Sequence, residues 1–339
     1  MDERPDTENE DLYGDRPHSA AEYAARRRER QAERARRARA ARQRRLISSS
    51  FSAVAMAIVL AAAWLVIAGF SQIAAVGKAA SLLDDADRII MQADASIWGQ
   101  TRASGAEEAR GIAERVPGAV TLLERASVQA KKAKAPLTWL WKRPANLTAA
   151  ISARKAMLVP APALLEVAAQ SSSAAPLADS GWEAIERARS ETSATVPPKS
   201  GADPKALSLC VAAADAVAGD LNLAQQSLSG AQTAFPEAQF GPYLEYATQL
   251  QQANRYARRA SKALLNEQDL TAASALRTYN SKAKKASTAR SKLTLPIQKM
   301  IDAGAAAASG ERLSVYESAR TRAVAADKKL GRATLKARP

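Results

Sequence analysis

One stretch of the polarity pattern sets the frame for the rest. Leu46 to Gly77 runs 32 residues without an Asp, Glu, Lys, Arg, His or Pro. Its centre sets Val54, Met56, Ile58, Val59, Leu60, Trp64, Leu65, Val66, Ile67 and Phe70 on an alanine background. A bilayer core of about 30 Å is crossed by ~20 such residues as a helix, because lipid offers the backbone no hydrogen-bond partners. The pattern predicts a transmembrane helix region over 46–77, with its core at about 51–70.

Beyond it, apolar residues recur at steps of three and four. Ala109, Ile112, Val116, Val120 and Leu123 do so in a helix expected from about 106 to 134. Leu207, Val211, Ala214, Val217, Leu221, Ala224 and Leu228 mark another from 204 to 230, and Leu313, Tyr316, Ala319, Ala323 and Leu330 mark the last. This is the period of helices with one buried face, and no stretch alternates as a strand would. Further helices are expected at 78–98, 145–158, 181–194, 243–265, 269–293 and 297–308. Glycine and proline punctuate them. Breaks fall at 99–105, at Pro160 and Pro162, and at a loop over Ser171–Ser173 and Pro176, while Pro117-Gly118 should bend or interrupt the second helix. The densest run of breakers, 196–204, reads as a Pro/Gly linker between helical subdomains 78–195 and 205–339. The fold class is therefore all-α: a single N-terminal transmembrane helix followed by an extracytoplasmic bundle of long, Ala-rich antiparallel helices.

Composition supports slender helices. The chain is 47% hydrophobic but only 5% aromatic, and alanine, the strongest helix former, buries little area per side chain. A single cysteine, Cys210, excludes an intrachain disulfide and any CxxC motif, and its apolar neighbours suggest burial.

Charge gives the span a direction. Residues 26–45 carry eleven arginines against Glu29 and Glu33, with Arg36, Arg37, Arg39, Arg42, Arg44 and Arg45 nearest the apolar stretch. Basic flanks stay in the cytoplasm, which puts the N-terminus inside and the bulk of the chain outside. This juxtamembrane segment should lie on the anionic inner leaflet, nucleic acid being the weaker reading. Residues 1–25, acidic and poor in large apolar side chains, are expected to be a disordered cytoplasmic tail. The long apolar core and the 45 residues ahead of it argue for a retained anchor over a cleaved signal peptide. Within the span, Ser49, Ala53, Ala57 and Ala61 form a small-residue column through which a homo- or hetero-oligomer could pack. Trp139 and Trp141, set between basic residues, are read as capping the bundle core at a helix connection.

The net charge of +15 is uneven: residues 1–45 hold 13 basic and 10 acidic side chains, 78–254 hold 17 and 18, and 255–339 hold 19 and 6. Arg255, Arg258, Arg259, Lys262, Lys282, Lys284, Lys285, Arg290 and Lys292 are the candidate polyanion-binding set, with Arg255, Arg259 and Lys262 opposite an apolar stripe. Outside a bacterial membrane, the available polyanions are lipid headgroups and wall polymers.

Catalytic chemistry finds little footing. The one histidine, His18, lies in the tail, so Ser–His, Cys–His and imidazole–metal chemistry lack their key residue. No phosphate-binding loop or nucleophile elbow occurs. Carboxylate-only hydrolysis needs two acids ~5–9.5 Å apart, and Glu107/Glu108 and Asp84/Asp85 read as exposed helix faces. The expectation is a protein that is not an enzyme and carries no cofactor or metal. It would be a membrane-anchored envelope protein whose helical domain is a structural or accessory interaction module. The alternative, an extracytoplasmic sensor or solute-binding accessory of a transport complex, predicts a concave pocket with convergent polar groups.

Overall fold

The computed structural model describes residues 20–98, 105–133, 143–198, 203–332 and 335, with side chains from 24–39 and from 54 onward. The described residues form eight α-helices and two single 3₁₀ turns, and no strand. The helices are α1 (Ala20–Ile97), α2 (Gly105–Lys132), α3 (Arg143–Leu158), α4 (Ala161–Glu191), α5 (Pro204–Ala234), α6 (Gly241–Leu265), α7 (Asp269–Ser291) and α8 (Ile297–Leu330). Most of the acidic tail, the break at 99–104, both Trp139 and Trp141, and linker residues 199–202 lie outside the described residues.

The chain divides after Phe70 into two units. In the first, large apolar side chains project from every side of α1: Ile58, Leu60, Trp64, Ile67 and Phe70 are all more than half exposed. Among the described residues, two helices are long and apolar enough to cross a membrane, the Val54–Ile97 part of α1 and α5, where the sequence leads one to expect a single span.

The second unit, residues 71–339, has two main cores. Leu83, Ile90, Ile112, Leu123, Ile151, Met157, Leu165 and Tyr316 belong to one. Ile185, Leu228, Phe235, Phe240, Tyr243, Tyr246 and Ile301 belong to the other, which joins residues from both sides of the 196–204 segment. α8 serves both cores and turns between them at Gly310, whose φ of +33° favours glycine. Alanine supplies much of the buried surface, so helix axes approach closely. At Gly304, α8 lies directly against the 3₁₀ turn Pro236–Ala238: a Cβ there would meet the backbone nitrogen of Ala238 at 2.8 Å.

Local chemistry sets several boundaries. Asp203 caps α5 by accepting from the Lys205 backbone N–H at 3.3 Å, and Pro204 occupies the first turn, where its missing N–H costs nothing. α8 stops at Gly331, φ +69°, a left-handed residue that ends a helix without strain.

Two sequence expectations are corrected. Pro117 does not interrupt α2; it sits on the exposed side, where water can take the carbonyl it orphans. Nor do Ser171–Ser173 and Pro176 form a loop. α4 runs unbroken through them because Ala169, Ala174, Ala178, Gly181 and Ile185 bury one continuous face. The Ser171 hydroxyl donates back to the Ala168 carbonyl, and Pro176 is exposed.

Candidate functional site: the basic hairpin

α6 and α7 form an antiparallel hairpin. Buried Ala253, Ala257 and Ala260 on one helix and Ala272, Ala275, Ala286 and Ala289 on the other leave room for close packing. The turn is tight: the Gln268 N–H donates to the Ala263 carbonyl at 2.9 Å and Glu267 takes φ +57°. That is the arrangement usually closed by glycine.

The nine cations singled out from the sequence divide into two groups. Arg258 pairs with Asp215 of α5 at 2.6 Å, Lys292 with Glu245 at 3.4 Å, and Lys282 donates to the Gln252 side-chain carbonyl at 2.6 Å. These three hold the hairpin to itself and to α5. The other six, Arg255, Arg259, Lys262, Lys284, Lys285 and Arg290, are exposed and make no ion pair among the described residues. Arg255, Arg259 and Lys262 point away from the alanine stripe of α6, as their spacing predicts. Arg277, also exposed, lies two helical turns before Lys284 on the same side of α7, a seven-residue spacing visible in the sequence. Between Arg255 and Lys292 the only acids are Glu267 and Asp269, both at the turn. The result is a field of cations with almost no carboxylates to quench it, which concentrates polyanions and weakens with salt.

Of the topology arginines, Arg36, Arg37 and Arg39 are exposed, and Arg37 pairs with Glu33 one turn away at 2.6 Å. The side chains of Arg42, Arg44 and Arg45 lie outside the described residues, as do those of Ser49 and Ala53; Ala57 and Ala61 are exposed.

The sequence reading missed a buried polar network. Arg154 of α3, fully buried, donates to both oxygens of Asp87 on α1, at 2.5 and 3.0 Å, and to Asp327 on α8 at 2.7 Å. Arg332 adds a bond to Asp87 at 3.0 Å and another to Asp84. Two turns along, Asp94 accepts from the Tyr316 hydroxyl at 2.7 Å and from Arg320 at 2.9 Å. Burial, reinforced by the negative charge of Asp94, pushes the Tyr316 hydroxyl far above the usual tyrosine range, so it stays a donor.

The spacing could have revealed this. Leu83, Asp87, Ile90 and Asp94 fall at i, i+4, i+7 and i+11, and Tyr316, Arg320, Ala323 and Asp327 repeat the same steps. The polar residues therefore occupy core positions of two antiparallel helices. Asp84 is more exposed, and Asp85 pairs with Arg88 at 3.3 Å on the same helix. Among the described residues no group of three His, Cys, Asp or Glu is placed to hold a metal ion. No protein-family model matches the chain, and neither curated proteins nor solved structures give a significant match.

Proposed function

We propose that this chain is a single-pass, membrane-anchored protein of the bacterial envelope, with its N-terminus in the cytoplasm. Residues 71–339 act outside as a helical interaction module, and the basic α6–α7 hairpin is its surface for anionic lipid or wall polymer. The anchor reading draws on the apolar side chains of α1, exposed on all sides from Val54 to Ile67. Water tolerates no such sleeve, whereas lipid accepts it. α5 meets the same length and composition test for a different reason. Its stripe of Leu207, Ala214, Val217, Leu221 and Leu228 is buried in the bundle, and Asp215 and Asp220 on its outer side pair with Arg258 and Arg187. Those ion pairs favour a helix of the water-facing module over a second span. The arginines ahead of the apolar stretch supply the orientation.

The observation that carries the functional reading is the row of exposed cations on α6 and α7 without acidic partners. It is tested with the full chain in nanodiscs of neutral lipid, measuring capture of phosphatidylglycerol vesicles, phosphatidylcholine vesicles and poly(glycerol phosphate) across a salt series. The expected result is binding to one or both polyanions that falls steeply with salt and is lost in an Arg255→Glu/Arg259→Glu/Lys284→Glu variant. Equal capture of neutral vesicles, or capture indifferent to salt, contradicts the reading. A second reading, an extracytoplasmic sensor or solute-binding accessory, draws on one further feature, a concave cleft beside Trp182.

A further inference from the structure

A cleft of about 540 Å³ opens where α4, the start of α6, the end of α7 and the turn into α8 meet. That volume lies within the roughly 300–1,000 Å³ typical of small-molecule sites. One wall is aromatic: the rings of Trp182 and Tyr243 stand edge to face, centroids 5.4 Å apart and planes at 82°. Tyr243 is buried, and its hydroxyl donates to the Leu295 carbonyl at 2.6 Å, fixing the α7–α8 turn as another wall. Trp182 is only partly buried, and its indole N–H makes no hydrogen bond among the described residues. Along the same cleft, the Gln298 amide donates to both oxygens of Asp179, at 2.6 and 2.7 Å. The Gln298 carbonyl and the remaining lone pairs of Asp179 are thus left to accept from a ligand. Arg290, one of the six exposed hairpin cations, lines this cleft and has no acidic partner.

The geometry points to a carboxylate-bearing sugar as the ligand of this cleft. A sugar ring has one face of C–H groups, weakly positive, which stacks on the negative face of an indole. Its hydroxyls donate to paired acceptors such as Asp179 and Gln298, and its carboxylate matches the Arg290 fork. Other ligand classes use less of what is present. An extended peptide needs a row of free backbone groups, and most of this cleft is helix, whose backbone is already bonded. A purely apolar molecule leaves Arg290 without a partner and the spare acceptor sites of Asp179 and Gln298 unused, at a cost to its own binding. The site is separate from the membrane anchor and shares only Arg290 with the hairpin surface proposed above.

The test uses the full chain in neutral-lipid nanodiscs, with a glucuronic-acid disaccharide, a neutral disaccharide of the same linkage, and benzoate as probes. Saturation-transfer NMR and calorimetry give contacts and affinity. The acidic disaccharide should bind about tenfold tighter than the neutral one, the worth of one charge-assisted contact. Arg290→Gln should bring the two together, and Trp182→Ala should lose both while helicity is retained. Arg290→Gln alters an exposed side chain and keeps the test valid should Trp182→Ala fail to fold. Arg255→Glu/Arg259→Glu should leave sugar binding unchanged, which separates this site from the hairpin. The inference is overturned if neither disaccharide saturates, if the two bind equally, or if benzoate matches the acidic sugar. Loss of binding in the hairpin variant with retention in Arg290→Gln overturns it as well.

Discussion

Arg154 is the residue on which three helices of the 71–339 unit depend. Its guanidinium serves Asp87 and Asp327 with no access to water, so removing it takes the shared partner from two buried carboxylates and leaves Asp87 with Arg332 alone. Breaking such a group costs about 3–5 kcal/mol, and Arg154→Met should lose stability on that order in thermal unfolding followed by circular dichroism. The loss has a pH signature. Burial raises Asp87 above its ordinary 3.8 against the downward pull of Arg154 and Arg332. A raised folded value means that the folded chain holds this proton more tightly. Its contribution is full below about 3.8 and is lost as pH rises through the folded value. In Arg154→Met the strongest downward pull is gone and the folded value climbs further. The penalty should therefore be greatest near neutrality and shrink as pH falls toward about 3.8, whereas a penalty constant with pH contradicts the assignment. Glycines give a matched pair. Gly304→Ala would press a methyl within 2.9 Å of the Ala238 Cα and should cost about 1–3 kcal/mol. Gly219→Ala, with open space around it in mid-α5, should gain about 0.5–1 kcal/mol. A rise in melting temperature for Gly304→Ala, or a fall for Gly219→Ala, would contradict the respective assignment.

The helices themselves were largely written in the 3.6-residue pattern. The stripes at 109–123, 207–228 and 313–330 are the buried faces of α2, α5 and α8, with Cys210 taking a core place in α5 and Val211 left half-buried beside it. Breakers were the weak guide. Pro117 and Pro176 lie on exposed faces, where a lost backbone bond is cheap and continuous packing decides the outcome. The polar network stayed hidden because an acid in a helix reads as solvent-facing until its partner, 173 residues away for Arg154 and Asp327, is known to pack there. For the hairpin, the sequence located the charge but not which cations the fold consumes; Arg258, Lys282 and Lys292 are spent on α5 and α6. For α1, a charge at mid-span is the direct probe. Leu60→Arg should raise the cost of insertion by about 2.5–3.5 kcal/mol and lower the carbonate-resistant membrane fraction. Ala57→Leu/Ala61→Leu should leave insertion intact and weaken any self-association in a bilayer assay. Unchanged association would retire the small-residue column.

The molecule has a helix with exposed apolar side chains in its first unit and a helical bundle with two main cores in its second. The bundle concentrates cations on one hairpin and keeps a cleft beside Trp182. The wall polymer proposed for the hairpin would be met only if residues 71–339 stand on the outer side of the membrane. Membrane sidedness is thus the claim from which the others follow. A reporter enzyme that folds only outside the cytoplasm, fused after Pro339, tests it most directly. Strong activity, matched by silence of a cytoplasm-only reporter at the same position, is the predicted result; activity of the cytoplasmic reporter alone would contradict the account.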